Sequence, residues 1–389
     1  MAPVTERPDR GRGSFVTVCL VLLLTACLPA AAAPGVTDSA IVFGQSASLS
    51  GPNRHLGIHY QAGIEAAFGE RNRRGGVAGR ILELHSLDDH YEPQQAAANA
   101  RLFADRNDVF AVIGGVGTPT ANRIAPILRA AGIPFVGPFT GADFLRDPGR
   151  SPNVVNLRAG YLDETRVLVD YMLNDLGKRR FGIIYQDDAF GRSVLRNFHS
   201  VLESYDLPIL ARSTFSRNTH AVHASLFTLA KADLDAILVV GSYPVNSLIV
   251  NLAEALGHEY VIANLSFVGS QALRDAVEHP SERILVTEVM PDPQDLTRSL
   301  VRRFRAAMVA QHAADEVDHL TDAVSLEGYV LGRFVIDVLE RIDGELTRER
   351  FLDTALSPDP VAIEDWTIRF EPGSNVGSDY VRLTHLGRP

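Results

Sequence analysis

The stretch AVIGGVGTPT, Ala111 to Thr120, is followed after a helix-length interval by IPFVGPFTGAD, Ile133 to Asp143. A similar arrangement returns as AILVVGSYPVNS, Ala236 to Ser247, and LSFVGSQAL, Leu265 to Leu273. In each case a buried apolar strand ends in small and hydroxyl residues, a helix intervenes, and a second strand ends in Phe-Val-Gly. One architecture used twice predicts two facing lobes with a ligand between them. Short runs rich in Val and Ile alternate with helix-length segments from Ile41 onward, the pattern of parallel sheets covered on both faces. The expected fold is therefore α/β, with two Rossmann-like lobes around a cleft.

The strand candidates are Ile41–Phe43, Ile81–Ser86, Phe110–Gly114, Pro134–Gly137, Phe181–Tyr185, Ala236–Gly241, Phe267–Gly269 and Ile284–Val289. Helices are expected over Tyr60–Arg74 and Asp163–Leu176, each stopped by glycine. Near the end, DWTIRF (Asp365–Phe370) and DYVRLTHL (Asp379–Leu386), separated by Pro and Gly, read as a hairpin.

At 389 residues the chain suits two domains of middling size. A formal net charge of -10 argues against nucleic acid or an anionic membrane as partner. The first 33 residues read as an export signal: Arg10 and Arg12 precede an apolar run from Phe15 to Leu24, and small residues follow. That run is short for a membrane span. Leu24-Thr25-Ala26-Cys27 resembles a lipobox, with Cys27 as the lipidated residue, while Ala30 to Ala33 offers an ordinary cleavage site. Both cysteines, Cys19 and Cys27, fall in this region, so no disulfide is expected in the folded part.

In doubly wound sheets the ligand crevice lies outside the carboxyl ends of the strands. Thr118 follows one such strand and precedes Pro119, which places it at the N-cap of a helix over Pro119–Ala131. Its hydroxyl, the helix end and backbone N–H groups at Thr120 and Ala121 would suit a carboxylate. The plainer account is that Thr118 caps its own helix. The loop Phe139-Thr140-Gly141, expected on the same edge, favours the functional one.

Enzyme readings find less support. Gly115 to Thr120 is similar to a dinucleotide fingerprint, but Thr120 replaces the last Gly and the motif follows a third strand. There is no Gly-x-Ser-x-Gly elbow, Walker loop or His-Glu-x-x-His pair. His220 and His223 have no third ligand and are expected on the surface. His55 and His59 flank the first loop, with His55 placed to add pH sensitivity at the cleft mouth. Trp366 is expected to pack. No cofactor and no metal site is expected.

IVFGQSASLSGPNRHLGIHYQAGIEAAF (41–68), RNRRGGVAGR (71–80), DDHYEP (88–93), VIGGVGTPT (112–120), FVGPFTGADFL (135–145) and YQDDAFGRS (185–193) together resemble the substrate-binding proteins of branched-chain amino acid ABC transporters, the type I periplasmic binding proteins. The resemblance runs in order from about Ile41 to Met290, and more loosely to the C-terminus. It implies two lobes joined by three crossovers, with 38–157 plus 288–355 in lobe one and 158–287 plus 356–389 in lobe two. It also implies hinge closure on a small ligand, delivery to a membrane permease, a monomer, and no catalysis. The membrane would be touched only through a lipid anchor at Cys27. An extracytoplasmic sensor docking on a receptor kinase is the alternative on the same fold, and an exported α/β enzyme is the third.

By the same resemblance, the carboxylate-holding hydroxyl falls on Thr118 and the backbone-donating loop on Thr140, Gly141 and Ala142. The lobe-two aromatics fall on Phe190 and Tyr243. Two positions depart: the aromatic of the first loop is Leu56, and the acid that pairs with the ligand ammonium is Gln271. A neutral amide lacks that charge. The ligand is then expected to be a carboxylate without a free α-amino group, or an amide-bearing one, unless Asp187, Asp188 or Asp89 supplies the acid. The family's frequent disulfide is also missing, with Tyr91 and Gly117 in its place. Tyr91 is a candidate to stack on the ligand, against a plainer role in lobe-one packing.

Overall fold

The structure, a computed structural model, describes residues 1–4, 33–313 and 317–387, excepting the side chains of Asp318 and His319. Residues 5–32, which include both cysteines and most of the stretch expected to be an export signal, lie outside the described residues, and with them the lipidation reading at Cys27. No helix of the described residues is long and apolar enough to cross a membrane.

The first lobe is a parallel sheet of β1 (Ala40–Ala47), β2 (Ile81–Asp88), β3 (Ala111–Ile113), β4 (Phe135–Val136) and β5 (Val154–Val155), in the order β2-β1-β3-β4-β5. β3 and the first half of β1 are apolar, as suits interior parallel strands, while Gln45 and Ser46 of β1 are buried with hydrogen-bond partners. The connecting helices are α1 (Arg54–Asn72), α2 (Pro93–Arg106) and α3 (Thr118–Ala130). α2 packs beside α3. Gly117 precedes α3 at φ 102°, and a β-carbon there would lie 2.3 Å from the Tyr91 ring. Only glycine suits both the backbone and the contact. Tyr91 and Gly117, the positions at which the resemblance implies a disulfide, are thus packed directly together.

The second lobe contains α4 (Tyr161–Asn174), β6 (Phe181–Gln186), α5 (Ala189–Glu203), β7 (Ile209–Phe215), α6 (His223–Leu229), β8 (Ala236–Val240), α7 (Tyr243–Ala255), β9 (Val261–Asn264), α8 (Ser270–Ala276) and β10 (Ile284–Glu288). Then come α9 (Ser299–Gln311), α10 (Val317–Leu320), α11 (Ala323–Glu340), α12 (Arg348–Ala355), β11 (Val361–Ile363), β12 (Trp366–Ile368) and β13 (Arg382–His385). The second sheet has the order β13-β10-β9-β8-β6-β7, with β13 antiparallel to β10. The chain passes from the first sheet to the second after β5. It returns to pack α9 and α11 on α1 after β10, and re-enters the second sheet as β13.

Three expectations change. Phe267 belongs to a single 3-10 turn (Ser266–Val268), and the strand is the preceding β9. The terminal hairpin does not form: β12 pairs with β11, and β13 with β10. Nor does all of 356–389 join lobe two, because β11 packs on α11 and Asn375 docks on lobe one, its Nδ2 donating to Leu145 O at 2.8 Å. The last strand is short and half-buried, and what it pairs with depends on a neighbour about a hundred residues earlier, Leu285 facing His385.

α11 is buried along nearly its whole length, with Arg333, Asp337 and Glu340 confined to one incompletely buried stripe. It crosses α1 at small residues. A β-carbon on Gly63 would lie 1.9 Å from the Ser325 carbonyl oxygen, and one on Gly328 would lie 2.2 Å from that of Tyr60. Neither backbone can retreat without moving its helix. Gly63→Ala should therefore lower stability by about 3 kcal/mol, the upper end of overpacking costs. Gly149→Ala, on the surface, should stay within about 0.5 kcal/mol. Urea unfolding of the two variants checks this, and equal effects would contradict the close crossing.

Candidate functional site

At the carboxyl edge of the first sheet, three hydroxyls converge. Thr118 Oγ1 lies 2.6 Å from Thr140 Oγ1, and each is 3.2 Å from the Tyr161 hydroxyl. All three side chains are fully buried. Thr118 opens α3, Thr140 follows β4 and Tyr161 opens α4, so the cluster joins three segments that the sheet edge brings together. The N-cap of α3 is Gly117, one residue before the expected Thr118. The Ala121 N–H is engaged with Gly117 O at 3.0 Å, so it is not free as expected. The Thr120 hydroxyl donates to Gly117 O at 2.8 Å. The Ala142 N–H reaches Thr140 Oγ1 at 3.3 Å, while the Gly141 carbonyl accepts from Tyr161 N at 2.9 Å. Burial raises the Tyr161 pKa, so the group stays a neutral donor.

Aromatic rings from both lobes close over these hydroxyls. Phe190, at the start of α5, lies 5.2 Å from Tyr161 and 4.8 Å from Phe267. Phe267 in turn lies 5.7 Å from Phe139 and 5.9 Å from Tyr91. Tyr91 is fully buried, receives a long 3.4 Å hydrogen bond from Gln186, and sits at a left-handed φ of 60°. It therefore belongs both to lobe-one packing and to the aromatic wall.

Polar contacts seal the rim. Arg217 bridges Glu92 (2.8 Å) and Asp188 (3.0 Å), Asn53 donates to Asn218 (2.8 Å), and the Tyr243 hydroxyl donates to Pro52 O (2.6 Å). Ser242 donates to Asn53 Oδ1, and on the other side Ser193 donates to Asp143 at 3.1 Å. Both lobes contribute to every one of these except the Arg217–Asp188 pair.

The remaining candidates fall elsewhere. Gln271 is exposed on α8, its amide donating to Asp275 at 2.8 Å, and does not join the cluster. The Gly269 turn and helical register aim it outward, which the strand expected over Phe267–Gly269 concealed. Asp187 is exposed and paired with Arg192 at 2.7 Å. Asp188 caps α5 through Phe190 N at 2.9 Å, and Asp89 accepts from Ser46 at 2.8 Å. Leu56 is buried against Gly269 of the other lobe, where a β-carbon would lie 2.8 Å from it. Tyr243 is half-buried at the rim. His220 and His223 are exposed, and Trp366 packs edge-on against Tyr380.

Behind the aromatic wall lies a buried charge network that sequence reading missed. The Arg158 guanidinium sits 4.4 Å over the Phe139 ring and 3.6 Å from Glu327, and donates to Ser266. Glu164 accepts from Ser266 N at 2.7 Å and Thr287 Oγ1 at 2.6 Å. Glu288 and Glu327 line a small crevice beside Phe139 and Ser266. Burial pushes Glu288 and Glu327 up to about 7, with Arg382 and Arg158 respectively opposing it. Burial works against the Arg158 charge, but Glu327 and Glu164 outweigh it and hold its pKa up. Four charged residues scattered over 170 positions carry no local signature. They meet only because the crossovers do.

Two doubly wound lobes that meet at a seam lined by buried hydroxyls and by aromatic rings from both sides are the architecture of the type I periplasmic binding proteins. A family model described as periplasmic binding protein matches residues 40–360, and the chain belongs to that family, in its branched-chain amino acid branch. Leu/Ile/Val-binding protein homolog 7 of Brucella abortus is 26% identical over 227 residues, 56% of this chain and 56% of that protein. The chain thus spans little more than half the length of that relative. The homolog 7 of Brucella melitensis is 22% identical over 84% of this chain and 82% of its own. Among solved structures, a possible leucine/isoleucine/valine-binding protein from Rhodopirellula baltica is 30% identical, with a TM-score of 0.82 over 90% of this chain and 94% of that one. A branched-chain amino acid transporter substrate binding protein from Streptococcus pneumoniae, in complex with isoleucine, is 18% identical and shares the fold, with a TM-score of 0.77 over 90% and 97%.

The raised acids make stability depend on pH in a definite direction. Between the ordinary glutamate range and pH 7 the folded chain binds more protons at Glu288 and Glu327 than the unfolded chain does, so stability falls as pH rises. The urea midpoint should therefore drop from pH 5 to pH 8, and Glu288→Gln should reduce that drop. A midpoint that climbs over this window, or an unchanged slope in the variant, would contradict the assignment.

Proposed function

We propose that the protein is an extracytoplasmic solute-binding protein that captures a small carboxylate with an apolar body and passes it to the permease of an ABC importer. The observation that carries this reading is the Thr118–Thr140–Tyr161 cluster, three buried hydroxyls brought together from the starts of α3 and α4 and the turn after β4, with Phe190 packed on the Tyr161 ring and Phe267 on Phe190. Hydroxyls beside the positive end of a helix are suited to a carboxylate, and they hold it without a formal charge. The rings beyond them suit an aliphatic or aromatic body. Because every one of these groups is buried, the ligand enters with the lobes apart and is enclosed as the rim contacts form. Relatives named as Leu/Ile/Val-binding proteins support the class of cargo.

Within that class, the positions expected to hold an ammonium are spoken for or turned away. Gln271 faces solvent, Asp187 pairs with Arg192, Asp188 caps α5 and binds Arg217, and Asp89 binds Ser46. This favours a carboxylate lacking a free α-amino group over an amino acid.

Calorimetry on matched pairs of amino acids and their des-amino or aromatic acid counterparts tests the reading. Thr118→Ala should weaken binding of the tightest ligand by about 1–3 kcal/mol, since a buried ligand oxygen loses its partner. Gln271→Glu should change nothing. Undiminished affinity in Thr118→Ala would remove that residue from the site, and a gain of amino acid binding in Gln271→Glu would restore Gln271 to it. Arg217→Ala should speed ligand release with little effect on capture, because it loosens the rim and leaves the hydroxyls intact. Ligand-dependent uptake in vesicles holding a candidate permease and its ATPase tests delivery, and signalling through a receptor kinase without uptake would favour the sensor instead.

A further inference from the structure

Away from the hydroxyl cluster, the first two turns of α1 carry a second convergence of donors. His55 and His59, four residues apart and so on one helix face, both reach Asp322, the residue that caps α11. His55 Nε2 is 2.7 Å and His59 Nδ1 is 3.0 Å from the same oxygen, Asp322 Oδ2. The two rings stack with centroids 3.5 Å apart, and one donor atom from each of the three residues lies within 4.8 Å of the others. His59 is 6% exposed, and its Nδ1 makes no directed hydrogen bond despite the short approach.

We propose that His55, His59 and Asp322 form a binding site for a divalent transition-metal ion, Zn2+ by its donor set, with a fourth position open to water. Two histidines one helical turn apart plus one carboxylate are a recurrent zinc constellation. Tetrahedral ligation with bonds of about 2.0–2.2 Å places ligand atoms about 3.3 Å apart. The observed histidine–carboxylate separations, 2.7 and 3.0 Å, are shorter than that, so the three side chains would spread slightly to admit the ion. Asp322 is already fixed from behind, its Oδ1 accepting from Ser325 N at 2.9 Å, which is the outer support that metal-binding carboxylates use. The His55 side chain, 16% exposed, leaves a route for the ion and its water.

The position of the site gives the ion a structural consequence. It joins α1 to the start of α11, one turn from Pro52 and Asn53, which accept from Tyr243 and Ser242 and, through Asn53 Nδ2, donate to Asn218 of lobe two. A bound ion would hold that part of lobe one in the shape onto which lobe two closes.

The test uses untagged protein stripped with a chelator and titrated with Co2+ at pH 7.5. One equivalent should give the strong visible bands of tetrahedral Co2+, and Zn2+ should displace it. His55→Ala and His59→Ala should each weaken Zn2+ binding at least tenfold, and Zn2+ should raise the melting temperature of the wild type only. His59→Gln, which keeps bulk, guards against loss of fold and should behave like His59→Ala. Absence of the Co2+ bands would overturn the proposal. So would one-to-one binding that persists undiminished in a His55→Ala/His59→Ala double variant, since the ion would then sit elsewhere.

Discussion

The close crossing of α1 and α11 is the constraint on which the rest of the lobe-one architecture turns. Gly63 and Gly328 let the two backbones approach until a single methyl group would collide with a carbonyl oxygen. That contact holds a helix from near the start of the folded chain against one that arrives after the excursion through lobe two. It also brings Asp322 to His55 and His59, and it sets the loop of Pro52 and Asn53 where the second lobe can meet it. Small residues here are therefore part of how the two lobes are joined.

The cleft combines two kinds of environment that depend on each other. In front are neutral hydroxyls and rings, with Tyr161 kept protonated by its burial. Behind them, Arg158, Glu164, Glu288 and Glu327 form a network in which carboxyls outnumber the guanidinium, and two of the acids respond by titrating near neutrality. Phe139 separates the two, bearing Arg158 on its face while packing on Phe267. The arrangement turns oriented dipoles toward the cleft while the protein's own charges stay on the far side of a ring.

Much of this was legible in order along the chain. The apolar runs of β1, β2, β3, β6, β8 and β10, the glycine stops and the polar turns after β3 and β4 identified the two-lobed α/β fold and placed Thr118 and Thr140 at one sheet edge. The same reasoning went wrong at Phe267 and Gln271. There, three residues after a true strand resemble its continuation, and a one-turn error rotates a side chain from the cleft to solvent. The terminal pairing failed for a related cause, since β13 is too short to signal its partner.

By itself, the sequence determined what periodicity, local turns and ordered motifs can encode: the alternation of strand and helix, the doubling into two lobes, and the hydroxyls that end β3 and β4. Only the tertiary structure decided which distant side chains meet. Tyr161 joining Thr118 and Thr140, Phe267 closing on Phe190, Arg158 facing Glu327, and Asp322 reaching two histidines some 265 residues away are products of crossovers and helix packing. Local chemistry encodes neighbours within a turn or a strand, whereas these contacts are set by where three chain crossings and one glycine-lined helix interface bring separate segments to rest.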